Sequence, residues 1–163
     1  MKTKFTLVAL LIFLMSGLKS FSQQEILYLD NVNPVLTISF PDNWKCERKG
    51  EAFQAVSPDQ VLFGQLWEDK KTSADKAIQN LDKIVEKYLT SLKHNVPKEV
   101  TSNNIKFTEV KCRAKLGTND VEAMIYLFKI KNKNMVLLFY GATDKFKNFV
   151  PQINKVRASI AKH

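Results

Sequence analysis

Residues 121–140 read VEAMIYLFKIKNKNMVLLFY, and this stretch decides the fold. Two runs rich in β-branched and aromatic residues, 121–130 and 135–142, flank four polar residues at 131–134, which predicts two antiparallel strands joined by a short turn. Apolar residues occupy odd and even positions in both runs, so apolar side chains point to both faces of the sheet. Both faces must therefore be covered by other elements.

Further strands are predicted on either side of this pair, separated by turn residues such as Gly50 and Gly117. They are Val35–Phe40, a short strand from Trp44, Ala52–Val56, Val61–Trp67 and Ile105–Leu116. In the last of these, the apolar positions are odd up to Phe107 and even from Val110, which predicts a bulge near Thr108-Glu109. Short connections favour antiparallel neighbours.

A long helix is predicted between Ala74 and His94, where the apolar period changes from two to 3.6 residues. Its stripe comprises Ala74, Ala77, Ile78, Leu81, Ile84, Val85, Tyr88, Leu89 and Leu92. Thr72 or Ser73 is expected to cap its N-terminus. Asn95 and Pro97 are expected to end it.

A second helix is predicted at the C-terminus, where Phe146, Phe149, Val150, Ile153, Val156 and Ile160 recur at helical spacing. It is expected to begin near Asn148, so that Pro151 falls in its first turn. The predicted fold class is α+β, with a mostly antiparallel sheet sandwiched between the long central helix and the C-terminal helix.

The first residues are typical of a secretory signal peptide: Lys2 and Lys4 precede the apolar run Leu7–Met15. Small residues at Ser20 and Ser22 predict cleavage after Ser22, with cleavage after Gln23 as the alternative. No cysteine lies near the end of this run to accept a lipid, and the run is too short to span a bilayer. We therefore expect a removed segment 1–22 and one domain, 23–163, that is periplasmic or secreted, with no transmembrane segment.

Cleavage after Ser22 removes three of the 25 basic residues. The remaining 22 basic residues and the 16 acidic residues give a net charge of +6. The lysines are spread along the chain, and the densest groups, Lys129-Lys131-Lys133 and Lys45-Arg48-Lys49, fall beside predicted turns. Such charges are typical of solvated loops. We therefore expect no nucleic-acid partner.

Cys46 and Cys112 are the only cysteines, and export would place them where a disulfide can form. Cys112 also alternates with Val110 and Ala114, which is typical of a small buried apolar residue. The sequence leaves both interpretations open, because it does not show whether the two Cα atoms lie within bridging distance.

Patterns typical of an active or metal site are absent from the sequence. Its two histidines, His94 and His163, have no partner at metal-ligand spacing, and no GxSxG, Walker or GxGxxG motif occurs. The carboxylates at Glu68-Asp69 and Asp120-Glu122 are better interpreted as solvated turn charges than as an acid/base pair. The sequence thus predicts no enzyme, no cofactor and no metal.

The aromatic residues allow two interpretations. Trp44 and Trp67, with Phe40, Phe53 and Phe63, fit core packing better than a stacking surface, because alternation directs most of them inward. Phe139, Phe146 and Phe149 are a candidate apolar mouth for a ligand or partner, between the sheet and the C-terminal helix.

The run Phe40-Pro41-Asp42-Asn43-Trp44, preceded by a strand and followed by 53–59, resembles the opening of PsbP-like domains, which DcrB-like bacterial proteins share. The later order of helix, apolar hairpins and a closing helix ending in Ala158-Ser159-Ile160 is also similar, so the resemblance covers Val35 to Ile160. It implies an α/β/α sandwich and no activity, since members serve as photosystem accessory subunits, Ran-binding proteins or effector chaperones. The resemblance assigns a functional role to no residue of this sequence.

Two functions follow as hypotheses. The first is an exported, non-enzymatic accessory or interaction module with an unidentified protein partner in the cell envelope. The second is a small-ligand or lipid carrier that uses a pocket between the sheet and the C-terminal helix. The oligomeric state is left open, with a monomer as the default.

Overall fold

The computed structural model describes residues 23–28, 34–72 and 76–163. The predicted signal peptide, Met1–Ser22, lies outside them, as does Ser73, one of the two predicted helix caps. Within the described ranges, no helix has both the length and the apolar character needed to cross a membrane.

The described elements follow one another in an order dominated by strands. They are β1 (Gln23–Tyr28), β2 (Leu36–Pro41), β3 (Lys45–Lys49), β4 (Ala52–Val56), β5 (Leu62–Glu68), α1 (Leu81–Val85), β6 (Thr90–His94), β7 (Lys98–Ser102), β8 (Ile105–Leu116), β9 (Asn119–Ile130), β10 (Lys133–Ala142), α2 (Thr143–Ser159) and β11 (Ala161–Lys162).

The strands form two antiparallel sheets. The larger runs in the order β3-β4-β5-β10-β9-β8-β6, with β7 also pairing with β8, and the smaller runs β1-β2-β11. Two-residue turns join β8 to β9 and β9 to β10, because Leu116 pairs with Asn119 and Ile130 with Lys133. The predicted α+β class, the antiparallel sheet and these two hairpins are confirmed.

Side chains of β9 and β10 alternate between two separate cores. Met124, Tyr126, Leu137 and Phe139 enter one core, which α2 and β2 cover, and we name that side of the sheet the α2 face. The intervening residues, such as Ile125 and Leu138, enter a second core with Leu81 and Val85 of α1, on the α1 face. Both faces are therefore covered, as the apolar runs require.

The long helix predicted between Ala74 and His94 is wrong. Among the described residues 76–94, only Leu81–Val85 is α-helical, and Thr90–His94 is strand β6. The described residues of the apolar stripe nevertheless pack on one core, in which Leu81, Val85 and Leu89 are buried. Pairing of β6 with the outer side of β8 supplies backbone partners there, and this outweighs the helical pattern.

The bulge predicted near Thr108-Glu109 does not occur between β8 and β9, whose register is continuous from Phe107–Phe128 to Leu116–Asn119. The switch in apolar parity has another cause. Residues up to Phe107 are buried on the α2 face, whereas those from Val110 are buried on the α1 face. β8 is thus a regular strand whose buried side changes from the α2 face to the α1 face along its length.

The C-terminal helix is confirmed, but it begins at Thr143 instead of near Asn148, so Pro151 lies inside it. Pro151 is exposed, and it lacks the N–H that would bond to the carbonyl of Lys147.

At the C-terminal end of α2, the side-chain amide of Asn103 donates to the carbonyls of Ala158 and Ile160, at 2.9 Å each. Asn103 and Asn104 both have positive φ, as the two-residue β7–β8 turn requires.

Gly141 of β10 lies where the chain packs closely against Val61 and Leu62. A Cβ atom at this position would lie 2.5 Å from the backbone oxygen of Val61, which has little freedom to move. A Cβ at Gly64 would lie 2.9 Å from the ring of Phe139, a side chain that can adjust. We expect Gly141→Ala to lower the free energy of unfolding by about 1–3 kcal/mol and by more than Gly64→Ala. Equal losses in denaturant titrations would contradict this packing.

Candidate functional site

The structure buries two of the three residues of the predicted aromatic mouth. Phe139 is 0% exposed and Phe146 is 4% exposed, because β10 lies in the middle of the sheet and α2 packs over it. Phe149 is partly buried against the same core. Phe139 and Phe146 therefore pack between the sheet and α2, and Phe146 also lines the groove described below.

The structure does not bring Cys46 and Cys112 together, and both are free thiols. Cys46 lies on β3 against the α2-face core, whereas Cys112 lies on β8 in the α1-face core. Four strands separate β3 from β8, which at the usual strand spacing is about 24 Å, far beyond bridging distance. Burial raises the pKa of both thiols to about 12, so each is held in its neutral form.

Among the other sequence candidates, Glu68, Asp120 and Trp44 have structural partners. Glu68 pairs with Lys133 at 2.7 Å, and Asp120 lies 3.6 Å from Lys115. Trp44 is buried beside Phe40 at a ring-centroid distance of 6.0 Å. Among the described residues, no group of three or more His, Cys, Asp or Glu side chains is arranged to hold a metal ion.

A groove of about 530 Å³ lies between α2 and the β6–β8–β9 side of the sheet. Phe146 and Val150 of α2 line it on one side, and Met124 of β9 lies at its floor. Basic side chains from three elements surround this apolar part: Lys93, Lys111, Arg113 and Lys147. We refer to this feature as the basic groove.

Strand alternation explains why these cations converge. On β8, Cys112 is buried on the α1 face, so its neighbours Lys111 and Arg113 point to the α2 face. Lys93 is the register partner of Arg113 on β6, and Glu122 is its partner on β9. Antiparallel partners share a face, so these three side chains form one row across the sheet.

The charge of the basic groove is unbalanced. Four cations face one carboxylate, Glu122, which leaves a formal charge of +3 with His94 neutral. Lys111 has a weak contact with Glu109 at 3.8 Å. Lys93, Arg113 and Lys147 form no ion pair within 4.0 Å with any other described residue. The groove thus offers cationic groups that are available to a ligand.

A larger groove on the other side of the molecule, about 840 Å³, has nearly balanced charge. Its lining contains five lysines and four carboxylates, and internal pairing accounts for part of them, with Lys70 at 2.7 Å from Glu51. Groove size therefore does not single out a site. The unpaired positive charge favours the basic groove.

A polar cluster lies one helical turn beyond Val150, beneath α2. The guanidinium carbon of Arg157 lies 5.6 Å from the ring centre of Phe107 and 5.9 Å from that of Tyr126. The hydroxyl of Tyr126 is 3.3 Å from Oδ1 of Asn154. Burial, with a smaller contribution from Glu109, raises the pKa of Tyr126, so its hydroxyl stays protonated. The cluster anchors α2 to the sheet beside the basic groove.

Sequence reasoning missed the basic groove, although one local signal was present. In Lys111-Cys112-Arg113-Ala114-Lys115, every second residue is basic, which is typical of a strand with one cationic face. Lys93 and Lys147 lie far from this run in the sequence, and only the sheet pairing and the position of α2 bring them near it.

Comparison with known proteins shows the fold. CyanoP, the PsbP protein of the cyanobacterium Synechocystis, matches with a TM-score of 0.62 at 11% identity, over 90% of this chain and 96% of its own. PA94 of Pseudomonas aeruginosa, a protein of unknown function, matches at 0.54 and 11% identity over 83% and 95% of the two chains. LpqN of Mycobacterium tuberculosis matches at 0.52 and 10% identity over 86% and 90%.

At these identities the likeness concerns the fold, and the resemblance to PsbP-like and DcrB-like domains is confirmed at that level. No family model and no curated protein matches the sequence.

The raised thiol pKa values predict how stability depends on pH. Because the fold favours the neutral thiol, this contribution is fully present below the ordinary thiol pKa of 9.0 and is lost as the pH rises toward about 12. Cys112→Val keeps a buried apolar side chain and removes one titrating group. We expect the free energy of unfolding of this variant to fall less steeply than that of the wild type between pH 8 and pH 11. Parallel declines in denaturant titrations would contradict the burial of the Cys112 thiol.

Proposed function

We propose that this protein is an exported, non-enzymatic accessory module that binds a partner protein of the cell envelope through the basic groove. The observation that carries the proposal is the excess of cations around the groove, at +3, with three of its four basic side chains free of ion pairs to described residues. Export rests on the N-terminal sequence pattern. The fold likeness to LpqN, a protein involved in cell envelope biogenesis, supports the location.

Unpaired cations at an open surface favour association with an acidic partner. They accelerate encounter and reject partners of like charge, although each exposed pair adds only about 0.2–1 kcal/mol of affinity. Of the apolar lining residues, Val150 is partly exposed, whereas Met124 and Phe146 are buried. Apolar surface beside charged groups is found in protein interfaces.

Charge reversal tests the proposal. The variant Arg113→Glu/Lys147→Glu removes two groove cations, and Lys45→Glu/Lys129→Glu makes the same change in charge on β3 and β9, outside the groove lining. After gentle crosslinking in envelope extract, we expect the tagged wild type and the control to retain the same partner. The groove variant is expected to lose it, because two attractions become repulsions.

Equal recovery with both double variants would contradict the proposed surface. A turnover activity without any crosslinked partner would contradict the whole function. Thermal melts of each variant establish that the fold is retained, and both substituted groove positions are exposed.

A small-ligand or lipid carrier remains the second candidate. One observation favours it: the basic groove does lie between the sheet and the C-terminal helix, with apolar side chains at its floor. Its volume of about 530 Å³ falls within the range of ligand pockets. Mass spectrometry under native conditions separates the candidates, since a carrier would retain a bound molecule that an interaction module lacks.

A further inference from the structure

The cations of the basic groove are arranged in two directions. Lys111 and Arg113 are two residues apart on one face of β8, so they repeat at about 6.6–6.8 Å along the strand. Lys93 stands opposite Arg113 on β6, and Cβ atoms of such partners lie about 4.5–5.5 Å apart. Lys147 provides a cation from the helix side. The basic groove therefore carries a small array of cations, and along β8 their spacing is that of alternate residues in a β-strand.

Apolar residues also line the groove. Met124 and Phe146 are buried beneath its surface, whereas Val150 of α2 is partly exposed. A ligand that fills the groove thus needs anionic groups about 7 Å apart and an apolar group that reaches Val150. Single inorganic anions meet only the first of these requirements.

Pairing of a partner strand with the outer edge of the sheet is disfavoured. The edge consists of β6 and β7, both paired with β8, and the register shifts by one residue between His94–Cys112 and Lys98–Glu109. Pro97, in this break, has no N–H to donate, and Ser91 has a φ of 53°. Interrupted edges of this kind resist strand addition, so recognition must act through side chains in the groove.

We infer, on the basis of the proposed function, that the basic groove binds an extended acidic segment of the partner protein, with carboxylates at alternate residues and one apolar side chain between them. Alternate side chains of an extended chain repeat at the same spacing as Lys111 and Arg113. Successive carboxylates of the segment can therefore lie opposite successive cations of β8. On a helix, residues four apart share a face at about 6.0 Å, so successive charges fall progressively out of step with the strand spacing. Successive side chains of an extended chain point to opposite sides, so the apolar side chain between two carboxylates is directed away from β8 and toward Val150 of α2, which is partly exposed.

Two labelled peptides of identical composition test the inference by fluorescence anisotropy. The first, DVDFDVD, alternates its carboxylates, and the second, VVFDDDD, clusters them. We expect the alternating peptide to bind more tightly, with affinity that falls as salt is raised. Arg113→Glu/Lys147→Glu should weaken its binding by at least about tenfold. Lys93→Glu alone should weaken it less, and the control Lys45→Glu/Lys129→Glu should leave it unchanged.

Equal affinity for the two peptides, or no binding of the alternating one, overturns the inference. Binding to vesicles of phosphatidylcholine and phosphatidylglycerol without binding of either peptide also overturns it, in favour of a lipid surface. If an envelope partner is captured through the groove while the peptides bind equally, the proposed function stands and the extended segment is wrong. If the alternating peptide binds at the groove but no envelope partner is captured, the ligand class stands and the proposed function is wrong.

Discussion

The structure depends on one constraint, the burial of both faces of β9 and β10. Neighbouring residues such as Leu137 and Leu138 point in opposite directions, yet both are 0% exposed. Burial of one such side chain stabilises the fold by about 1.5–3 kcal/mol, so leaving either face open would cost more than a domain of this size can offset. This requirement places α2 and the small sheet on one face and α1 with its flanking residues on the other.

The basic groove arises where this coverage ends. α2 packs on β2, β9 and β10, whereas on β8 the α2 face changes from buried Phe107 to exposed Lys111 and Arg113. The opposite face of β8 makes the reverse change, since Val110 and Cys112 are buried against the α1-face core. One strand therefore supplies apolar packing to one side and cationic side chains to the other, next to the flank of α2.

Local patterns predicted the parts of the fold that depend on neighbouring residues. The turns at 117–118 and 131–132 connect adjacent strands, so hydrophobic alternation and turn residues were sufficient for β8, β9 and β10. A single long helix was predicted between Ala74 and His94, because a stripe with a period of 3.6 does not distinguish one helix from a turn, a short helix and a strand that pack on one core. The pairing of β6 with β8 is a long-range contact that no local pattern contains. The groove was missed for the same reason, since Lys93, Arg113 and Lys147 meet only in the folded sheet.

A two-dimensional amide NMR titration of the protein with an acidic peptide tests whether the basic groove is the binding surface. We expect the first amide signals to shift to be those of Lys93, Lys111, Arg113 and Lys147 and their neighbours. Signals from the larger groove around Lys70 and Lys87 should stay in place. Shifts that begin in the larger groove, or that spread evenly over all exposed lysines, would contradict the basic groove as the binding surface.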